Sequence, residues 1–273
     1  TGATLDAYDE QRVPQLTVSS AQGGYGIAST RSLLQTVPSY GTTSFPAALM
    51  LLAGGVRRIA VVIDRAAGAH AWEEGHLACR TLGLAKIAVH PRVVPRSATS
   101  PTVVLAEVLD AGPDAIYYAG SPRRAADLAG ALAERSFDGA RILSYPAAGA
   151  EFLRRAGQGA DGWQVFAPYI DPLAAPVADF ATAFRRRYGR APAYWAAEAY
   201  DVTRLVLDRL GTAAKGGKRP GRAELYGLLA KGTYRGLVRT YRFKDGYQQS
   251  FDMFHYRVEK GRYRYLGPAD VGE

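Results

Sequence analysis

The chain has 273 residues, 48% hydrophobic and 22% charged, with 34 Lys and Arg against 25 Asp and Glu for a formal charge of +9. That length fits one large domain or two small ones, and the composition is that of a folded globular chain rather than a disordered one. It holds no apolar run of about 18 residues that could span a membrane and no basic start, apolar core and small-residue cleavage site of a signal peptide.

The predicted elements alternate along most of the chain. Strands are expected at 13–18, 32–37, 58–63, 87–89, 115–119, 141–144 and 162–167, where short apolar runs end in turn residues. Helices are expected at 45–52, 71–82, 102–110, 124–135, 176–188, 194–210 and 222–230. In the fourth of these, Ala125, Leu128, Ala129 and Leu132 recur at helical spacing on one face. Strands alternating with such helices imply a parallel sheet covered on both faces. From about Val238 the character changes to short runs joined by Asp245-Gly246 and Lys260-Gly261, which predict antiparallel hairpins.

The chemistry-bearing residues are sparse. The basic residues are scattered, and the stretch KGGKRPGR at 215–222 has no interleaved aromatics, so no nucleic-acid partner is expected. Cys79 is the only cysteine, so no intramolecular disulfide can form, and its place on an expected helix predicts a buried, inert thiol. His70, His76, His90 and His255 lack metal-ligand spacing, and HAWEEGH is not HExxH. No metal or cofactor is expected.

Four loops follow predicted strands and should share one end of a sheet: Ser19 to Gln22, Asp64 to Trp72, Gly120 to Pro122, and Tyr145 to Ala147. Open α/β sheets place ligands at such strand ends, and helix starts close behind them offer unpaired N–H groups to an anion. Hydroxyls, amides and aromatics there suit gripping a small polar molecule. They do not suit catalysis, because no GxSxG elbow exists and Ser121 is followed by a proline that lacks an N–H. Asp64 reads as a cap for its own loop rather than a catalytic acid. Tyr145, Tyr169 and Tyr200 are pocket candidates, whereas Trp163 and Trp195 read as packing residues.

The order of segments resembles the type I periplasmic solute-binding proteins of the branched-chain amino acid (Leu/Ile/Val-binding) class. VPQLTVSSAQ is similar to that family's serine/threonine-rich ligand loop, LLQTVPS to its first crossing between lobes, and RIAVVIDRAAGAHAWEEG to the opening of its second lobe. DAGPDAIYYAGSPRRAADLAGAL, FLRRAGQGADGWQVFAPYIDP, FRRRYGRAPAYWAAEAYDVTRLVLDRL and GTYRGLVRTYRF follow in the family's order.

The resemblance implies an α/β fold of two doubly wound parallel-sheet lobes joined by three crossover strands, with lobe 1 formed by 1–39 and 170–250 and lobe 2 by 40–169 and 251–273. It also implies that lobe 1 lacks two or three N-terminal βα units, which could promote self-association through an open sheet edge. The implied function is a non-enzymatic, extracytoplasmic binding protein that closes around a small-molecule ligand and serves a membrane permease of the ABC type. A ligand-sensing receptor domain of a signalling protein is the alternative. The ligand contacts it implies are Ser19, Ser20 and Gln22 from lobe 1, His70, Ser121 and Tyr145 from lobe 2, Tyr40 near the hinge, and Tyr200 on a late lobe-1 helix. Where amino-acid binders of this family place an acid for the α-ammonium, this chain most nearly aligns Tyr145, which predicts an aromatic or aliphatic carboxylate rather than a standard α-amino acid.

Overall fold

The computed structural model describes residues 2–21, 30–217, 219–250 and 252–269. In chain order the elements begin with α1 (Gly2–Glu10), β1 (Gln15–Thr17), β2 (Leu33–Gln35), α2 (Tyr40–Thr43), α3 (Phe45–Ala53) and β3 (Arg58–Asp64). There follow α4 (Ala69–Leu84), β4 (Ala88–Val94), α5 (Leu105–Asp110), β5 (Ala115–Ala119), α6 (Pro122–Glu134), β6 (Ala140–Leu143), α7 (Ala150–Ala156) and β7 (Gln164–Ala167). The last part holds α8 (Ala178–Tyr188), α9 (Ala196–Lys215), α10 (Arg222–Ala230), β8 (Tyr234–Arg235), β9 (Thr240–Tyr241), β10 (Phe243–Lys244), β11 (Tyr247–Gln248), β12 (Phe254–Glu259) and β13 (Arg262–Pro268).

The chain divides into two compact units, one from Thr1–Ser39 with Pro168–Asp252 and the other from Tyr40–Ala167 with Met253–Glu273. It therefore crosses between them three times.

The second unit is built on a seven-stranded sheet in the order β13-β12-β7-β6-β5-β3-β4. β3 to β7 pair in parallel, and β12 and β13 close the sheet as an antiparallel hairpin. Ile59, Val61 and Ile63 of β3 pack with Ala115, Tyr117 and Ala119 of β5 under α3 and α4. The alternate residues of both strands, among them Val62 and Tyr118, are buried as well. That burial on both faces is why β3 and β5 read as continuous apolar runs. On α4 the inward face is Ala71, Glu74, Gly75, Ala78 and Leu82. Gly75 belongs there because a Cβ would come within 2.6 Å of the Ile63 side chain, so only glycine lets helix and strand approach this closely. β4 is the edge strand, which is how it runs to Val94 through Pro91 when the sequence suggested only 87–89.

The first unit carries a smaller sheet, β1-β2-β11-β10, parallel except for the β10–β11 hairpin. Its core joins Leu34 of β2 to Val202 and Leu205 of α9, Leu229 of α10 and Tyr241 of β9. Both hairpin turns expected near the C-terminus form: Asp245-Gly246 and Lys260-Gly261 each take positive φ at both positions, as a two-residue turn between right-twisted strands requires.

Helices over 45–52, 124–135, 176–188, 194–210 and 222–230 form with shifted ends, and the segment at 102–110 opens as a 3-10 turn over Pro101–Val104. There the Ser100 hydroxyl accepts from the Thr102 N–H at 3.3 Å and starts the turn. α1, α2 and α7 were not evident in the sequence. α2 has only four residues, and α7 buries a single side chain, Phe152, so neither repeats an apolar face.

Candidate functional site

In the second unit β4 lies on one side of β3 and β5 on the other. The strand order therefore reverses between β3 and β5, and the carboxyl ends of those two strands are where an open α/β sheet leaves a crevice. Three loops rise there: Arg65–Ala67 and Gly68 leading into α4, Gly120-Ser121 leading into α6, and Ser144-Tyr145 after β6.

Asp64 ends β3 and is fully buried. It accepts from the Tyr118 hydroxyl at 2.7 Å, the Arg124 Nε at 2.5 Å and the Ala66 N–H at 3.1 Å. Its two oxygens are thus occupied in holding the loop and the start of α6, which agrees with the capping role expected for it. Arg124 in turn donates to the Ala98 and Thr99 carbonyls.

Above Asp64 the helix starts are open. Gly68 precedes α4 at φ +98 and supplies no side chain to cap it. Ser121 occupies the equivalent position before α6, yet its hydroxyl makes no capping bond to the helix. The first turn of a helix has N–H groups with no intrahelical partner, and these carry partial positive charge. His70, in the first turn of α4, hydrogen-bonds the Gly120 backbone and so ties the two loops together. Burial holds its ring below the usual histidine range, and the Gly120 bond acts in the opposite direction.

Tyr40 and Tyr145 meet beside these loops, with ring centroids 6.0 Å apart and planes 23° from parallel. Their hydroxyls interact, and burial, with the nearby Glu74 charge adding to it, pushes the Tyr40 phenol up to about 12. Glu74 lies on the inward face of α4 and is wholly buried, with one carboxyl oxygen accepting from the Tyr117 hydroxyl at 3.3 Å. Burial raises its carboxyl from 4.5 to about 8, against the pull of Tyr117 and Ser144. Sequence reasoning overlooked Glu74. Its signal was available: a glutamate at the helical position between Ala71 and Ala78 on an otherwise apolar face.

The structure therefore brings Tyr40, His70, Ser121 and Tyr145 to one end of the second unit, with Glu74, Tyr117 and Ser144 beneath. Ser19 and Ser20 follow β1 in the first unit, Ser19 exposed and Ser20 half-buried, while Gln22 lies outside the described residues. Tyr200 is on α9 and packs its ring on Phe180 at 5.2 Å. It lines a groove of about 620 Å³ with Phe180, Phe184, Tyr188 and Leu237. A second cavity, about 450 Å³, lies at the opposite, amino ends of β5 to β7 and contains none of the expected ligand residues. Trp163 is fully buried against Phe152, and Trp195 packs on Tyr169, both as packing residues. Cys79 is packed against the core, and burial pushes its thiol up to about 11, so it stays protonated and unreactive. Among the described residues no group of three His, Cys, Asp or Glu could hold a metal ion, and no helix is long and apolar enough to cross a membrane.

Solved structures share this fold. A leucine-binding protein from Thermotoga maritima superposes with a TM-score of 0.84 at 18% identity, over 98% of this chain and 76% of its own. A putative branched-chain amino acid ABC transporter protein from Rhodospirillum rubrum gives 0.77 at 22% identity, over 95% and 74%. An ABC transporter substrate-binding protein from Desulfitobacterium hafniense, in complex with Leu, gives 0.79 at 18%, over 97% and 76%. No curated protein sequence matches significantly. The family model described as periplasmic binding protein matches residues 1–262. The chain therefore belongs to the periplasmic binding protein family and has the fold of its solute-binding members.

Proposed function

We propose that this protein captures a small carboxylate-bearing solute outside the cytoplasm and delivers it to a membrane permease of the ABC type. The observation that carries this reading is the pair of uncapped helix starts of α4 and α6 at the β3–β5 switch, flanked by the Tyr40–Tyr145 stack. Unpaired N–H groups and the Ser121 hydroxyl suit a carboxylate, and two tyrosine faces suit an apolar body beside it.

The test is native mass spectrometry with a mixed pool of amino acids and organic acids, followed by calorimetry on any captured compound. A bound small carboxylate, with affinity lost in Tyr145→Ala, supports the proposal. Capture that is indifferent to Tyr145→Ala and to Ser121→Ala would place the ligand elsewhere and overturn it.

A further inference from the structure

A helix on the surface of a globular unit turns its charged residues to solvent and its apolar ones inward. In the first unit α9 departs from this along its first half. Glu198 and Asp201 sit on its buried face with Ala197, Val202 and Leu205. Ala196, Ala199, Tyr200 and Thr203, none of them charged, line the groove that α9 forms with α8. The wall supplied by α8 is aromatic. Phe180, Phe184 and Tyr188 follow one another along that helix with ring centroids 5.8 and 4.6 Å apart, and Tyr200 meets Phe180 at 5.2 Å. Leu237 completes the lining of this groove of about 620 Å³. Small-molecule sites have volumes in that range, and they are concave and lined by apolar and aromatic groups with a few polar ones. Tyr188 is 62% exposed and Tyr200 43%, so the rings face water.

The two charged lining residues stand at opposite ends of α8, Asp179 in its first turn and Arg187 in its last, about 12 Å apart along the axis. The half-charge of the helix N-terminus offsets Asp179, whereas the C-terminal half-charge is outweighed by Arg185, Arg186 and Arg187 together. These three and Arg190 are exposed, and none of the four forms an ion pair among the described residues. From 168 to 252 the chain carries fifteen Lys and Arg against eight Asp and Glu, so the surrounding surface favours an anion over a cation.

We propose that the α8–α9 groove is a second binding site, for a small amphiphile with an apolar chain and an anionic head, such as a medium-chain carboxylate. The chain lies along the rings of Phe180, Phe184, Tyr188 and Tyr200, which give it a large apolar contact. The head pairs with Arg187, whose guanidinium offers a carboxylate two parallel N–H donors. The site lies wholly within the first unit and shares no residue with the loops at the β3–β5 switch, so it stands apart from the solute site there.

The experiment titrates the protein by calorimetry with hexanoate, with decanoate below its micelle concentration, and with decanol. The wild type binds decanoate more tightly than hexanoate, by about 2- to 4-fold for each added methylene, and more tightly than decanol. Arg187→Gln lowers the decanoate affinity by about 3- to 10-fold and leaves that of decanol within about 2-fold. Tyr188→Ala lowers both by about 3- to 10-fold, and because that ring is mostly exposed the variant keeps the wild-type urea midpoint. No binding of decanoate, decanol binding as tightly as decanoate, or a decanoate affinity unchanged in both variants overturns the inference. Loss of decanoate in Tyr145→Ala with none in Tyr188→Ala places the acid at the strand switch and overturns it as well. Binding of phosphatidylglycerol vesicles without binding of monomeric decanoate overturns it in favour of a membrane contact. A dimer that forms without added ligand and dissociates in Tyr188→Ala overturns it in favour of an interface between copies.

Discussion

Glu74 makes the pH dependence of stability a sensitive probe of this fold. Its carboxyl titrates at about 8 in the folded chain against 4.5 for an ordinary glutamate, with burial as the main cause. Below pH 4.5 both folded and unfolded states hold the proton, and the group contributes no pH dependence. As the pH rises above 4.5 the unfolded chain releases its proton while the folded one keeps it, so stability falls, and it stops falling once the folded carboxyl also ionises above about 8. At 1.36 kcal/mol per pH unit the loss is roughly 3 kcal/mol at pH 7 and roughly 5 kcal/mol at the plateau. Glu74→Gln removes the proton and keeps the shape. Urea unfolding followed by tryptophan fluorescence at pH 5, 7 and 9 should show the variant gaining on the wild type by about 4 kcal/mol across the series. His70, His255, Glu198 and Asp201 also titrate away from their usual values, but both proteins share them and the difference cancels them. Parallel profiles for the two proteins would refute the reasoning and mean that Glu74 is already solvated or paired.

Three further substitutions probe the packing that supports the site. Gly75→Ala places a methyl 2.6 Å from Ile63 and should push α4 off β3 at a cost of about 1–3 kcal/mol, read as a lower urea midpoint. Trp163→Ala empties a fully buried volume against Phe152 and should cost roughly 3–5 kcal/mol, with loss of the near-ultraviolet dichroism of that pair. In the first unit, Asp201 accepts from the Leu237 and Val238 N–H groups at 2.7 and 2.8 Å. Asp201→Ala leaves both donors without their carboxylate, so amide exchange at those two positions should accelerate and stability drop by about 1–3 kcal/mol.

Much of the architecture was legible from residue order because parallel strands covered on both faces must be apolar throughout. The runs at 58–63 and 115–119 could hardly be anything else, and β5 matches its expected span. Turn chemistry was equally direct: Asp245-Gly246 and Lys260-Gly261 announce tight hairpins because few other residues accept positive φ. The site was legible only in part. Strand ends followed by hydroxyls and helix starts picked out the loops that carry His70, Ser121 and Tyr145, and the family resemblance singled out those residues within them.

Glu74 and Ser144 were not evident, and the reason is physical. A glutamate on a helix is ordinarily a solvated residue, and only its helical spacing from Ala71, Ala78 and Leu82 sets Glu74 apart from Glu73. Pairing of β3 with β5 and the close approach at Gly75 decide which side of α4 faces the sheet, and with it the burial that raises the carboxyl. Local sequence determined the order of strands, helices and turns, because each depends on neighbours a few residues away. Only the tertiary structure decided which polar groups end up dry and adjacent, because Tyr40, Glu74, Tyr117 and Ser144 are separated by dozens of residues and meet through the sheet alone.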